Sequence, residues 1–282
     1  MNSFNFTYMR KHPLSFLLRA LVYLSARLTV AVVVFLIGYI LWQGVPNLTM
    51  PGLFDWEYNS QNQSMMPAII NTIIMTALTL VIAVPIGVFA AIYLVEYAGR
   101  GNKLVKIIRI TAETLSGIPS IVYGLFGFIV FVITLGWSYT LISGAITLAI
   151  MILPLIMRTT EEALMAVPDS YREGSFGLGA GRLRTVFRVI IPSAMPGILA
   201  GVILAIGRIV GESAALIFTA GTNPVVAKSL FSSASTLTVH MYALMTEGLH
   251  TEQAYAVAVV LLAVVILINA LSGFLAKKLT SK

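Results

Sequence analysis

The chain has 282 residues, 58% hydrophobic and 10% charged, with a mean hydropathy of +0.93 and a formal net charge of +7. That balance excludes an ordinary soluble domain, and basic residues split among four short gaps do not make a nucleic-acid surface. The lack of cysteine excludes disulfide scaffolds and thiol chemistry.

Residues 1–27 form a basic tail carrying Arg10, Lys11, Arg19 and Arg27 and no acid. A first span is expected at 28–42, extended earlier if Arg27 snorkels to the interface. The layout resembles a signal peptide, but no small-x-small site follows at 43–47, so an uncleaved span is expected. Residues 44–64 are polar and lack Lys and Arg. They read as a loop, or as a short interfacial helix over 53–58.

The second span is expected at 66–97, with Pro85 inside it and Glu96 at its inner end. Arg100, Lys103, Lys106 and Arg109 make the next gap basic. The third and fourth spans follow at 118–135 and 139–157, joined by a tight turn at Gly136-Trp137-Ser138. After them come Arg158, the Glu161-Glu162 pair and Pro168, in a loop over 158–194. The fifth span is expected at 195–220, a long mixed loop at 221–251, and the sixth span at 255–275. Residues 28–282 thus read as one all-α membrane domain of six spans.

An even number of spans puts both termini on one side. All basic residues except Arg208 and Lys228 fall in the two tails and the two gaps on that same side. The positive-inside rule therefore predicts cytoplasmic termini and a cytoplasmic 158–194 loop. No internal repeat is visible, so the inverted-repeat plan of many secondary transporters finds no support.

The stretch 173–192 cannot span a membrane, because Arg182, Arg184 and Arg188 interrupt it. A glycine cluster precedes helix-friendly residues from Leu183 to Ile191, and Pro192 follows. This predicts a short helix pair with a tight glycine joint, a knob sized for a groove on a soluble partner. Its glycines at 174, 177, 179 and 181 do not match the Gly-x-x-x-x-Gly-Lys-Ser/Thr phosphate loop, and no strand precedes them. Any ATP is therefore expected to bind elsewhere.

Glu173, Gly174, Ser175, Gly179, Val189, Ile191 and Pro192 fill the pattern that marks the membrane subunits of ABC importers. Gly174 and Ser175 stand where that pattern usually has alanines, which keeps small size but lowers helix propensity. The resemblance implies a type I permease fold, with this loop as the coupling helix that docks an ATPase. Three further segments are similar to the PstA type of phosphate importer subunit: the run from Leu204 to Leu216, Pro119-Ser-Ile-Val-Tyr-Gly-Leu-Phe-Gly127, and the run from Pro85 to Tyr97. The similarity extends from Asn71 to the sixth span. It implies a homologous partner permease of the PstC type, an ATPase dimer of the PstB type and an extracytoplasmic phosphate-binding protein of the PstS type. It also implies a bacterial or archaeal plasma membrane, and no cofactor on this chain, since ATP and Mg are used by the partner ATPase.

Arg208 and Glu212 lie four residues apart within the fifth span. A charge at the bilayer centre costs roughly 2.5–3.5 kcal/mol on insertion scales, so such residues face a cavity or a partner. On a continuous helix the two can bridge each other. Either Arg208 offers its guanidinium fork to an oxyanion in transit, with Glu212 holding it, or the pair is a structural salt bridge. The resemblance implicates the arginines matching Arg208 and Arg158 in phosphate passage. From its place at the inner mouth of the fourth span Arg158 reads first as an interfacial anchor, with Glu161 and Glu162 within reach. Gly207, Gly211, Ser213 and Ala214 suit close helix packing.

Glu247-x-x-His250 lacks a matching second half for a metal site and reads as a surface pair, and His240 is a lone loop histidine. The expectation is a non-catalytic membrane subunit of an ATP-driven phosphate importer. The alternatives are a permease for another oxyanion or solute, or a self-sufficient ion-coupled transporter. Glu212 is the one acid deep in a span, which argues against the last.

Overall fold

A computed structural model describes residues 13–98 and 102–280. Arg10, Lys11, Arg100 and Lys282 lie outside the described residues. Among those described, all regular structure is helical. Helix α1 spans Pro13–Gly44, α2 Met66–Ile92, α3 Lys103–Ser116, α4 Ser120–Gly127, α5 Leu141–Met165 and α6 Asp169–Gly177. Helix α7 spans Arg182–Thr185, α8 Ile191–Val210, α9 Ala214–Thr219, α10 Leu237–Glu247 and α11 Thr251–Thr280. Five helical segments are long and apolar enough to cross a membrane: Leu17–Thr49, Met66–Tyr97, Leu141–Met165, Arg182–Val210 and Thr251–Leu271. The bent pair α3 and α4 supplies a sixth candidate.

Helices α2, α5 and α8 form the centre. Met75, Leu148, Ile152, Ile156, Ala205 and Ile209 are buried between them. In lipid, such contacts are held by van der Waals packing, which small residues permit by letting backbones approach. At Gly127 a Cβ would sit 2.2 Å from Thr147 Oγ1, so α4 lies against α5 at a distance only glycine allows. A second cluster closes the basic end of the bundle around Leu94, Val105, Leu164 and Ile190. A third closes the far end around Leu53, Met65, Leu237 and Val257. Helix α1 stands outside this core, with exposed side chains along most of its length, and packs on α11.

The span expected at 66–97 is a helix over those residues, finishing in a π-helical turn at Tyr93–Tyr97. Pro85 lies within it. Other boundaries differ. The first helix starts at Pro13 and passes through Arg19 and Arg27, well before 28. The fourth span runs to Met165, carrying Arg158, Glu161 and Glu162 on the helix rather than in a loop. The sixth is longer at both ends.

The basic gap before the third span is itself a helix, α3, started by the Asn102 side chain accepting from the Leu104 amide. Val105, Ile108 and Ala112 pack inward, at the three- and four-residue spacing of one helical face. Pro119 ends this geometry, and α4 leaves at 101° to α3. With its π-helical continuation α4 reaches only Thr134. The span expected at 118–135 is therefore short and lies beyond a sharp corner.

The loop 44–64 holds a single 3-10 turn at Pro46–Thr49, and no helix forms over 53–58. Instead Leu53 is buried, and the loop is braced by Ser64, whose hydroxyl donates to the Leu53 and Asp55 carbonyls. The 221–251 segment contains α10, whose Leu237, Val239, His240 and Leu244 are buried. Asn71 of α2 fastens the start of that segment. Its Nδ2 donates to the Val225 carbonyl at 2.9 Å and the Ser235 carbonyl at 3.2 Å, and its Oδ1 accepts from the Ala227 amide at 3.0 Å. A buried amide with all these bonds made is a fixed strap.

Candidate functional site

Two places gather the residues singled out from the sequence: a break in the fifth span beside a charged cleft, and the element around Gly179.

The fifth span does not run unbroken over 195–220. Helix α8 begins at Ile191 and stops at Val210, with Gly211 as its C-cap; α9 begins at Ala214. The Glu212 carboxylate accepts from the Ala215 amide at 3.1 Å, and its backbone carbonyl accepts from Thr238 Oγ1 at 2.7 Å. It serves as a side-chain cap for the new helix. The expected Arg208–Glu212 bridge is therefore absent: the helix that would have brought them one turn apart ends between them. Among the described residues Arg208 enters no ion pair. It occupies the last turn of α8, where the negative end of the helix dipole favours a cation.

Arg208 lines an open cleft of about 520 Å³ between α3, α5 and α8. Arg158 lines the same cleft. The two arginines named from sequence thus meet in one space, although fifty positions separate them. Three groups not singled out for this purpose join them: Arg109, Glu113 and Glu161. Arg158 pairs at 3.1 Å with Glu162, one turn on, and both side chains are exposed. Glu161 turns the other way and pairs with Arg109 of α3. The signal for Arg109 was present: Lys103, Lys106, Arg109 and Glu113 recur at helical spacing opposite the apolar face of α3.

At the same end, α6 and α7 are joined by a turn in which Gly179 has φ +82°, a left-handed conformation that costs a glycine little. The expected helix pair with a glycine joint forms. Pro192 does not close it, however. The chain continues from α7 through a π-helical turn, Val186–Ile190, directly into α8, with Pro192 in its first turn. The wider turn accommodates a proline that has no N–H to donate. Ser175 Oγ lies 2.8 Å from Thr185 Oγ1, closing the pair on itself. Glu173, Gly174 and Gly179 are exposed; Val189 and Ile191 are half-buried against the second core cluster. Leu178 is 91% exposed, and Tyr171, Phe176, Leu183 and Phe187 are exposed with it.

This knob is tied to the bundle by Arg172. Its Nη2 donates to Glu96 Oε1 at 2.7 Å and to the Leu164 carbonyl at 3.0 Å; its Nη1 donates to the Val167 carbonyl at 2.8 Å and to Asp169. Both members of the Arg172–Glu96 pair are largely buried.

Residues 83–281 match the family model described as binding-protein-dependent transport system inner membrane component. The chain belongs to this family. Such inner membrane components are non-catalytic permeases that work with an ATPase, which hydrolyses the ATP, and with a binding protein. Among relatives of this permease, the probable ABC transporter permease protein YqgI of Bacillus subtilis is 38% identical, covering 80% of this chain and 81% of that one. The phosphate transport system permease protein PstA 1 of Mycobacterium tuberculosis (strain CDC 1551 / Oshkosh) is 35% identical, covering 72% and 67%. In fold, the permease is similar to a chain of the bacterial alginate ABC transporter, solved with its alginate pentasaccharide-bound periplasmic protein. That match has a TM-score of 0.71 at 14% identity, over 96% of this chain and 98% of that one. The MetNI methionine ABC transporter in an inward-facing conformation aligns at a TM-score of 0.60 and 22% identity, over 76% and 93%. The architecture is that of the type I ABC importer permeases, an all-α multi-pass membrane fold.

Proposed function

We propose that this permease forms half of the pathway of an ATP-driven phosphate importer of the PstA type. The observation that carries the reading is the meeting of Arg208 and Arg158 in one cleft, within a chain whose relatives include several phosphate transport permeases. A guanidinium presents paired donors that match an oxyanion's geometry, and one held in a half-buried site offsets part of the anion's desolvation cost. Helix α8 carries Arg208 at its far end and continues, through α7, from the exposed knob. Movement of the knob is thereby transmitted to the guanidinium along one rod.

In this reading both termini and the 158–194 segment face the cytoplasm, following the distribution of basic residues. Glu173, Gly174, Ser175, Gly179, Val189, Ile191 and Pro192 shape the element that an ATPase dimer of the PstB type receives, with Leu178 at its tip. A PstC-type permease completes the pathway, and a PstS-type protein delivers phosphate to the far end. ATP and Mg are bound by the ATPase, and this chain binds no cofactor. Glu212 acts in the pathway by holding the break that ends α8 beside Arg208, not by pairing with it.

The test is Arg208→Leu in the reconstituted complex, with phosphate uptake measured at matched abundance of all subunits. Uptake should fall at least tenfold; unimpaired uptake removes Arg208 from the mechanism. A permease for another oxyanion or solute is the second reading, favoured by the 38% identical YqgI relative, whose name states no substrate. Competition of unlabelled sulfate, molybdate and arsenate against labelled phosphate separates the two.

A further inference from the structure

The cleft holds three guanidiniums and three carboxylates, and they are not used alike. Arg158 and Glu162 form a pair on one helix surface, with both side chains exposed. Arg208 and Glu113 form no ion pair among the described residues. The Arg109–Glu161 pair is asymmetric. The Glu161 side chain is 9% exposed while that of Arg109 is 49% exposed. Both line the cleft, the acid more deeply buried and the base at its exposed side, with one nitrogen, Nη2, against the Glu161 carboxylate. A guanidinium has five donors, so the others are available to the cleft.

We propose that Arg109 is a third anion-contacting guanidinium of this pathway, held in register by Glu161 as its positioning residue; this rests on the phosphate reading above. Arg109 comes from α3, Arg158 from α5 and Arg208 from α8, so the three reach the cleft from three separate elements. A tetrahedral oxyanion has oxygens to offer in as many directions. An unpaired arginine on an amphipathic helix would extend into water. The carboxylate, the more deeply buried of the two, holds Arg109 at the wall they both line. Because α3 is joined to α4 by the 101° corner, the pair also ties that corner to α5, and the contact depends on where α3 sits.

The experiment uses the complete complex, with ATPase and binding protein, in proteoliposomes. Uptake of labelled phosphate is compared for R109Q and the charge exchange R109E/E161R, with copurifying ATPase as the check on assembly. R109Q should lower uptake about tenfold or more, the value of one charge-assisted contact. The exchange should restore the pair and the assembly but not the uptake, since it puts a carboxylate where the anion passes. Uptake restored to within twofold of wild type by the exchange shows a pair that merely holds helices together, and overturns the proposal. A second measurement needs no variant: phenylglyoxal modification of the wild-type complex, read at residue 109 by peptide mass spectrometry. Millimolar phosphate should protect residue 109, and chloride at equal ionic strength should not. Equal modification in both overturns the proposal. A wild-type complex that takes up no phosphate sinks the substrate reading and this inference together, which distinguishes that failure from loss of Arg109 alone.

Discussion

Replacing Arg172 by methionine removes the cation from a pair in which the arginine side chain is 16% exposed and Glu96 only 8%. Glu96 is left as a buried carboxylate with no counter-charge, and the Leu164 and Val167 carbonyls each lose a donor. Removing one member of a buried pair costs about 3–5 kcal/mol, most of it the unpaired partner's desolvation. Replacing both members with apolar residues of similar volume is close to neutral or even stabilising. The double variant E96L/R172M should therefore be more stable than R172M alone. Denaturant titration in mixed micelles, followed by far-UV circular dichroism, gives all four corners of the cycle. The expected coupling is at least about 2 kcal/mol, a factor of roughly thirty in the unfolding equilibrium. Additive single effects, or an R172M cost under about 1 kcal/mol, would refute the argument that this pair is desolvated. Uptake discriminates further. E96L/R172M should keep its fold yet transport poorly, because α6 loses the charged tie that fixes its angle to α2.

The exposed Arg158–Glu162 pair provides the contrast: Arg158→Met should shift stability by no more than about 0.5 kcal/mol, measured by the same titration. Leu178→Asp should leave the helical content unchanged while the ATPase no longer copurifies, because it places a charge at the tip of an apolar knob. Gly127→Val should destabilise by about 1–3 kcal/mol in the same unfolding titration, since its Cβ would meet Thr147 and Thr219 at 2.2 and 2.8 Å. His240, on α10 outside the spans, has its pKa lowered by burial, opposed in part by the Gln63 carbonyl and the charge of Glu247. The folded state then binds fewer protons than the unfolded one below the ordinary histidine value of about 6.5. Stability is fully present above that value and falls as pH drops through it. The melting temperature should decline between pH 7.5 and 5.5 more in the wild type than in His240→Gln.

Hydropathy and charge alone placed most of this architecture, since in lipid a backbone must satisfy itself within a helix. The second span was legible to its end residues because polar chain bounds it on both sides. Helix α3 was not, since Lys103, Lys106 and Arg109 mask an apolar face only three residues wide. The break at 211–213 carried its own signs: Gly at the end of one helix and Ser before the next are ordinary stop and start residues. Hydrophobicity over 195–220 is too uniform to show it. Arg208 and Arg158 could be named from the sequence, but that Arg109, Glu113 and Glu161 share their cleft could not. The cleft is a property of how α3, α5 and α8 cross, and no spacing along the chain encodes which carboxylate turns to Arg109.

Helix α2 is anchored at both extremities by groups that are buried and fully engaged. Near one end, Asn71 grips the segment leading into α10 through three bonds. At the other, Glu96 grips Arg172 of the knob. The distance between them is roughly 38 Å at 1.5 Å per residue, more than the hydrocarbon thickness of a bilayer. A strut pinned so firmly cannot slide at one face of the membrane while the other stays put. In the importer reading proposed above, a load applied at either end would be felt at the other through these twenty-five residues.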